Sequence, residues 1–243
     1  MSDRAIAHRI LAVLRRTAIG EEAVLVGSSG LFGFETAVPA LTEDIDLAIP
    51  ETIAAAHGEE VVSALTAEGF EHEQGTATFT RSDGTVFDLL GVGEVSAGDH
   101  IAGAGALRVM VFEDLSRIVA EQRAVLRLPE GGQALSPAGF VASKLLTERG
   151  HKGAKDKLQA LLLIAERADE PGFEAELRRL LGAVDPIRRD DARAAAQEAC
   201  LSLGRDRAFS DAGAEGYSVL LSQVERGFER LGMWLDAWEG RRG

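Results

Sequence analysis

The sequence predicts a mixed α/β fold in its first half and a helical second half, an α+β arrangement overall. Short apolar runs bounded by glycine, proline and aspartate indicate strands in the first half. Apolar residues that recur every three or four positions indicate helices before and between these strands. Beyond Ser136 nearly every segment has this helical periodicity. We therefore predict a mixed sheet flanked by helices over residues 1–130 and a helical bundle over residues 131–243.

The predicted elements of the first half surround a short glycine-serine segment. An amphipathic helix is expected over residues 3–18, because apolar residues recur at helical spacing until Gly20. A buried strand over residues 23–26 leads directly into the turn Gly27-Ser28-Ser29-Gly30. Further strands are predicted at 44–49, 70–73, 76–81, 85–90 and 107–112, with Ser82-Asp83-Gly84 as the hairpin turn between the third and fourth of these. Helices are predicted at 52–68 and 114–122.

The second half begins after a change in composition. The segment Pro129-Glu130-Gly131-Gly132 is the predicted junction, and Ser136-Pro137 then supplies an N-cap and a first-turn proline for the next helix. Trp234 and Trp238 lie four residues apart and so share a helix face, where they are expected to anchor a core or an interface. Breaks between helices are predicted near Gly150, Pro171-Gly172, Gly204 and Ala212-Gly213.

Composition and charge exclude several classes of protein. The hydrophobic content of 46% with 27% charged residues is that of an ordinary globular protein. The longest apolar run, at residues 158–165, is too short to cross a bilayer, so we expect a cytoplasmic protein without membrane contact. The single cysteine, Cys200, excludes an internal disulfide. A net charge of −13 argues against a surface coated with nucleic acid, although a local basic site remains compatible with it.

The segment Thr42-Glu43-Asp44-Ile45-Asp46 begins the strongest candidate site. Alternation in a strand places Asp44 and Asp46 on one face while Ile45 points into the core. Like charges held this close repel each other, so the pair is costly unless a cation is shared between them. Asp88 adds a third carboxylate within an apolar strand, where a lone charge would be expensive. The alternative is an edge strand whose exposed face carries acids.

The glycine-serine turn offers a phosphate site near these acids. A strand that ends in small residues leaves backbone N–H groups and hydroxyls available to an anion. The Gly-Lys-Ser/Thr ending of a Walker A loop is missing, and the spacing differs from that of a Rossmann fingerprint. The other interpretation is a simple turn.

Taken together, these features resemble the nucleotidyltransferase superfamily typified by DNA polymerase beta, over about residues 20–90. The resemblance implies that Gly27 and Ser28 bind a nucleoside triphosphate. It also implies that Asp44 and Asp46 bind two Mg²⁺ ions, with Mn²⁺ as an alternative, and that Asp88 completes the catalytic metal site. The segment between Ser28 and Asp44 is longer than the usual family spacing, so Ser29 is an alternative phosphate contact.

A second resemblance concerns the helical half. The pattern Ser143-Lys144-Leu145-Leu146, followed by Lys155-Asp156-Lys157-Leu158, is similar to a prokaryotic nucleotidyltransferase subgroup that includes abortive-infection toxins. It implies that Lys144 contacts the triphosphate and that Lys155 and Asp156 lie near the active site. The alternatives are a snorkelling surface lysine and an aspartate that favours a helix N-terminus. The basic residues between 149 and 157 form a positive patch suited to phosphate or RNA, or else a solvated face.

These resemblances imply transfer of a nucleoside monophosphate to an acceptor hydroxyl, with release of pyrophosphate. The acceptor stays open between RNA or a protein, as in the toxin-like subgroup, and a small molecule such as an aminoglycoside-type antibiotic. A nucleotide-binding module without catalysis is the third interpretation. A toxin-like role would add a cognate antitoxin or a second copy of the chain as a partner.

Overall fold

The computed structural model describes residues 3–40, 44–94, 98–146, 153–182, 190–191, 193–197 and 217–239. The chain divides into two compact units. The first consists of Met1–Glu35 and Thr42–Ser136, and the second consists of Thr36–Leu41 and Pro137–Gly243. The division along the main chain therefore falls between Ser136 and Pro137, slightly later than the predicted junction at 130/131.

The first unit is a mixed α/β structure, which confirms the predicted class. Its helices are α1 (Asp3–Leu14), α2 (Glu51–Ala67) and α3 (Glu113–Val119). Its strands are β1 (Val24–Val26), β2 (Asp44–Pro50), β3 (Phe70–His72), β4 (Thr78–Arg81), β5 (Val86–Val92), β6 (His100–Ala102), β7 (Val109–Val111), β8 (Val125–Arg127) and β9 (Gln133–Leu135). Helix α1 ends earlier than predicted, because Arg16 and Thr17 donate to carbonyls three residues back and so tighten the last turn.

The described strands form one nine-stranded sheet, in which seven strands follow the order β3-β4-β5-β2-β1-β9-β8 and β6 and β7 lie off this path. Strands β2 and β5 lie side by side in the middle and pair in parallel over seven residues, from Asp44↔Val86 to Pro50↔Val92. Strand β1 pairs antiparallel with β2 and parallel with β9. Strand β7 pairs with the end of β5 at Gly91↔Val111 and with β6 along its other edge. This order places the Asp-x-Asp strand between β1 and the strand that carries Asp88.

The hydrophobic core lies on the sheet face that bears the odd-numbered residues of β2. Ile45, Leu47 and Ile49 are buried there with apolar side chains of α1 and α2. Phe87 of β5 stacks on Phe79 of β4, with 4.7 Å between ring centroids. Because side chains alternate along a strand, the residues between these point to the opposite face. The core therefore fixes which face of the sheet carries the acids.

Several short elements were not predicted from the sequence. Strand β6 was not expected, and Pro129-Glu130-Gly131-Gly132 is the turn of the β8–β9 hairpin instead of a linker. Gly131 and Gly132 have positive φ values of 97° and 75°, which suits glycine in a tight turn. The glycine-serine turn is longer than predicted, because a 3₁₀ helix runs from Gly27 to Gly33. These elements are three to seven residues long and leave little periodicity to read.

All regular elements that the structure describes in the second unit are helices. The longer ones are α4 (Pro137–Leu146), α5 (Gly153–Arg167), α6 (Phe173–Gly182) and α7 (Tyr217–Glu239), and residues 190–191 and 193–197 are also helical. Helix α4 packs on α5 and α6, and α5 packs on α7. Trp234 and Trp238 are buried, which confirms the predicted core role, and Trp238 Nε1 donates to Glu174 at 3.1 Å. The break at Pro171-Gly172 lies between α5 and α6, whereas Gly150, Cys200, Gly204 and Ala212-Gly213 lie outside the described residues.

The segment Thr36–Leu41 joins the second unit through side chains of α5. Glu166 accepts hydrogen bonds from the Thr36 hydroxyl and the Ala37 N–H, both at 2.9 Å. Gln159, which is fully buried, donates to the Pro39 carbonyl at 3.0 Å. The connection between Ser28 and Asp44 therefore contains a stretch that belongs to a different unit from its neighbours.

Among the described residues, no helix combines the length and the apolar character that a bilayer crossing requires.

Candidate metal centre

Two adjacent parallel strands carry the three predicted acids. Asp46 on β2 is the register partner of Asp88 on β5, and Asp44 lies two residues before Asp46 on the same face. Each carboxylate offers an oxygen within 4.8 Å of the other two. Across the described ranges, no other group of three acidic, histidine or cysteine side chains has this spacing. We call Asp44, Asp46 and Asp88 the acidic cluster.

The glycine-serine turn lies directly against the acidic cluster. Gly27 follows Val26, which is the antiparallel register partner of Asp46. A β-carbon built on Gly27 would lie 1.9 Å from Asp46 Oδ2, and Gly27 has a φ of +57°, which side-chain-bearing residues rarely adopt. Glycine is therefore required at this position for both space and backbone conformation. Asp46 itself is only 7% exposed, so the turn helps to enclose its carboxylate.

The Ser29 side chain hydrogen-bonds to the main chain of the Asp-x-Asp strand. Its hydroxyl accepts the Asp46 N–H at 3.1 Å and donates to the Asp44 carbonyl at 3.5 Å, and the residue is fully buried. This hydroxyl is engaged with the strand backbone. The carboxylates of Asp44 and Asp46 are thus tied to the turn through the main chain between them.

Thr78 contacts the third acid from the neighbouring strand. Its hydroxyl donates to Asp88 Oδ1 at 2.5 Å. The two residues are antiparallel register partners on β4 and β5, so their side chains share a face. Thr78 was not identified from the sequence. The predicted hairpin turn Ser82-Asp83-Gly84 could have identified it. In a hairpin, residues at equal distances from the turn are paired, and this rule pairs Thr78 with Asp88.

The donor atoms of the acidic cluster suit a hard divalent cation. Carboxylate oxygens are the ligands that Mg²⁺ and Ca²⁺ take in proteins. Two ligands of one Mg²⁺ ion at about 2.1 Å lie at most about 4.2 Å apart, and paired ions lie about 3.5–4 Å apart. The spacing of 4.8 Å or less therefore fits one or two ions after small side-chain rotations.

Two of the three predicted residues of the second unit, Lys144 and Asp156, form a cluster with Lys157, which was not predicted. Lys144 near the end of α4 makes an ion pair with Asp156 in the first turn of α5, and both side chains are 5% exposed. Lys157 is also buried and donates to the carbonyls of Lys144 and Leu145 at 2.7 and 2.6 Å. These are C-terminal carbonyls of α4, which a cation satisfies well. We call Lys144, Asp156 and Lys157 the lysine cluster.

The burial of Lys144 and the position of Asp156 bear on the alternative interpretations of these residues. The snorkelling surface position considered for Lys144 is wrong, because its side chain is buried. Asp156 does lie at a helix N-terminus, as one interpretation of the sequence expects. Lys155 is partly exposed at the start of α5. The remaining basic residues of the predicted patch, Arg149 and Lys152, lie outside the described residues.

A further ion pair lies at the opposite ends of β2 and β5 from the acidic cluster. Glu51, the first residue of α2, contacts His100 Nε2 at 2.7 Å, and the Gly98 carbonyl lies 2.8 Å from His100 Nδ1. Both ring nitrogens face oxygen acceptors, so the arrangement favours the imidazolium. The Gly98 carbonyl and Glu51 together raise the pKa of His100. The Glu94 N–H and His100 lower the pKa of Glu51.

Comparisons with known proteins do not assign the chain to a family. No protein-family model matches it, and no curated protein matches it either. Function is therefore inferred from the acidic cluster and the residues around it.

Proposed function

We propose that this protein is a metal-dependent nucleotidyltransferase. It would move a nucleoside monophosphate from a nucleoside triphosphate to an acceptor hydroxyl and release pyrophosphate. The observation that carries this proposal is the acidic cluster, whose three carboxylates lie within 4.8 Å of one another. Three like charges gathered beside a backbone turn are costly for folding and useful for binding cations, as expected where stability is traded for function.

Each member of the acidic cluster has a proposed role. Asp44 and Asp46 would hold two Mg²⁺ ions between them, and Asp88 would complete the site on the acceptor side. Such ions, when bound, stabilise the attacking and leaving oxygens of an in-line displacement. Mn²⁺ would suit the same oxygen ligands.

The proposed reaction is a displacement at the α-phosphorus of the nucleoside triphosphate. The acceptor oxygen forms a bond to the α-phosphorus while the bond from that phosphorus to the oxygen bridging the β-phosphorus breaks. Pyrophosphate leaves, and the acceptor proton passes to Asp88. Gly27 and Ser28 would hold the departing phosphates through backbone N–H groups and a hydroxyl.

Residues of the second unit also have a proposed role. We assign Lys144, Lys155 and Asp156 to nucleotide binding within a helical bundle, as the resemblance to the abortive-infection subgroup implies. The burial of the Lys144–Asp156 pair gives Lys144 a structural role as well. We propose RNA or a protein as the acceptor, the cytoplasm as the location, and a cognate antitoxin or a second copy as the binding partner.

Incubation with radiolabelled nucleotides tests the proposal. The protein is mixed with Mg²⁺ and each α-labelled nucleoside triphosphate, together with total RNA, total protein or a panel of aminoglycosides. Label on RNA or protein is the expected result, and label on a small molecule would change the acceptor class. Asp44→Asn should abolish transfer, whereas Asp169→Asn, at a side chain that is 92% exposed, should preserve it. Nucleotide binding without pyrophosphate release would contradict the proposed activity.

A further inference from the structure

We propose that Thr78 is a positioning residue for Asp88, holding its carboxylate in the orientation that binds metal. The inference rests on the proposed function, because it needs the acidic cluster to be a metal site. Its basis is the 2.5 Å hydrogen bond from the Thr78 hydroxyl to Asp88 Oδ1. This bond engages one carboxylate oxygen from β4, which pairs with one edge of β5, and Asp44 and Asp46 lie on β2, which pairs with the other edge.

The position of Thr78 is fixed by the strands around it. Ala77, the preceding residue, accepts the Leu89 N–H at 2.9 Å. Phe79, the following residue, is fully buried and stacks on Phe87. Residues on both sides of Thr78 therefore contact both sides of Asp88. The hydroxyl is held beside the carboxylate by the hairpin and does not depend on a flexible loop.

Asp88 needs such a contact more than an ordinary surface acid does. Its carboxylate lies within 4.8 Å of two others, and mutual repulsion turns like charges away from each other in the absence of a cation. The Thr78 hydroxyl holds one oxygen of the Asp88 carboxylate and so limits its rotation at no cost in charge. Groups that hold a metal-binding carboxylate in this way raise metal affinity about 10- to 100-fold in other metal sites.

The strand offers a matched control for this proposal. Thr80 lies two residues after Thr78 on the same exposed face, but its register partner is Val86. Thr78→Val and Thr80→Val remove the same hydroxyl and keep a β-branched side chain that suits a strand. Thr78→Ser keeps the hydroxyl and loses only a methyl group.

Binding of Mn²⁺ alone, measured by titration calorimetry on the full chain, tests the inference. Thr78→Val should raise the Kd for Mn²⁺ about tenfold, and Thr78→Ser and Thr80→Val should stay close to the original protein. Thermal melts without metal should be nearly equal for all four proteins, since the lost hydrogen bond is exposed. In the transfer assay, Thr78→Val should lower kcat more than it changes KM for the acceptor.

Two further variants separate failure of this inference from failure of the proposed function. If Asp88→Asn and Asp44→Asn weaken Mn²⁺ binding but Thr78→Val does not, Thr78 does not position Asp88 and only this inference is overturned. If neither aspartate variant changes Mn²⁺ binding, the acidic cluster is not a metal site and both proposals are overturned together. An equal loss in Thr78→Val and Thr80→Val would also overturn the role of Thr78, because it would indicate a general effect on the strand.

Discussion

The acidic cluster of the first unit contains charges of one sign, whereas the lysine cluster of the second unit contains charges of both signs. Asp44, Asp46 and Asp88 bring three groups of the same sign within 4.8 Å. Lys144 and Asp156 neutralise each other in a buried pair, and Lys157 binds carbonyls at the end of α4. The lysine cluster is balanced by groups of its own unit. The acidic cluster gathers like charges, whose repulsion a bound cation would reduce.

This difference separates opposite charges that are paired within the fold from like charges that repel each other until a cation binds. A buried pair of opposite charges is destabilising to break but adds little when intact, so it serves mainly to keep one arrangement. A cluster of like charges weakens the fold until a ligand is bound. Removing a charge should therefore have opposite consequences in the two units.

Asp44→Asn should produce the largest effect. Transfer activity should fall by roughly 1,000-fold or more, as when a group acting in a catalytic unit is removed. The unfolding free energy without metal should be unchanged or higher by about 1 kcal/mol, because repulsion is relieved. Mg²⁺ at about 100 times its Kd should stabilise the original protein by about 2.7 kcal/mol and the variant far less, and nucleotide should add further stabilisation to the original protein.

Thermal and denaturant melts of both proteins, with and without ligands, check this expectation. Asp169→Asn is the control for loss of one exposed negative charge. Equal stabilisation of Asp44→Asn and the original protein by the ligands would show that Asp44 is not a metal ligand.

Lys144→Met should produce the largest loss of stability. It leaves the Asp156 carboxylate buried without its lysine, which typically costs about 3–5 kcal/mol. The double variant Lys144→Met with Asp156→Leu should recover much of this loss, because no charge is then left unpaired. Urea denaturation of the two single variants and the double variant measures the coupling. A weakened nucleotide affinity without any loss of stability would instead assign Lys144 to the ligand alone.

Gly27→Ala should have an intermediate effect on stability and a specific effect on metal binding. The new methyl group would collide with Asp46, and the positive φ adds a strain of about 1–3 kcal/mol. Gly20→Ala is the control, because Gly20 has nearly the same φ, +59°, with nothing within 4 Å of an added β-carbon. We expect Gly27→Ala to be less stable than Gly20→Ala and to bind Mn²⁺ more weakly. Equal losses in both variants would mean that Asp46 moves aside freely.

His100→Asn should produce the smallest effect, and only in a particular pH range. Folding raises the pKa of His100 through the Gly98 carbonyl and Glu51, so its stabilising contribution is fully present below the unfolded value of about 6.5. That contribution is lost as the pH rises through the folded-state pKa. Melts at about pH 5.5 and about pH 9 should show a lower Tm for the variant at the acidic pH and a smaller difference at the alkaline pH. The same Tm difference at both pH values would contradict this pH-dependent contribution of His100. The variant should bind Mn²⁺ as the original protein does.

The sequence was sufficient for the parts of the site that depend on local geometry. Alternation along one strand placed Asp44 and Asp46 on the same face, because that pattern needs no knowledge of neighbouring strands. The turn after β1 was found from its glycines and serines. Asp88 was grouped with the pair because a charge in an apolar strand needs a partner. All three acids are close together in the structure.

The parts that were missed depend on contacts between distant segments. The partners of Ser29 lie on β2, and their pairing cannot be read from the turn alone. Strand β9 has three residues, too few for a pattern, although it lies beside β1 in the sheet. The burial of Lys144 did have a local signal, because nearly all of its neighbours on α4 are apolar. A lysine in so apolar a helix indicates a buried partner.

The path of the chain through Thr36–Leu41 sets limits on how this protein can be divided. This segment belongs to the second unit while the residues on either side of it belong to the first. The polypeptide therefore passes between units after Glu35, after Leu41 and after Ser136. Glu166 and Gln159 lie on α5, and their hydrogen-bond partners lie in Thr36–Leu41. An expression fragment that begins at Pro137 would lack these partners. A separately expressed helical half would need Thr36–Leu41 restored, for example through a flexible linker that joins this segment to Pro137.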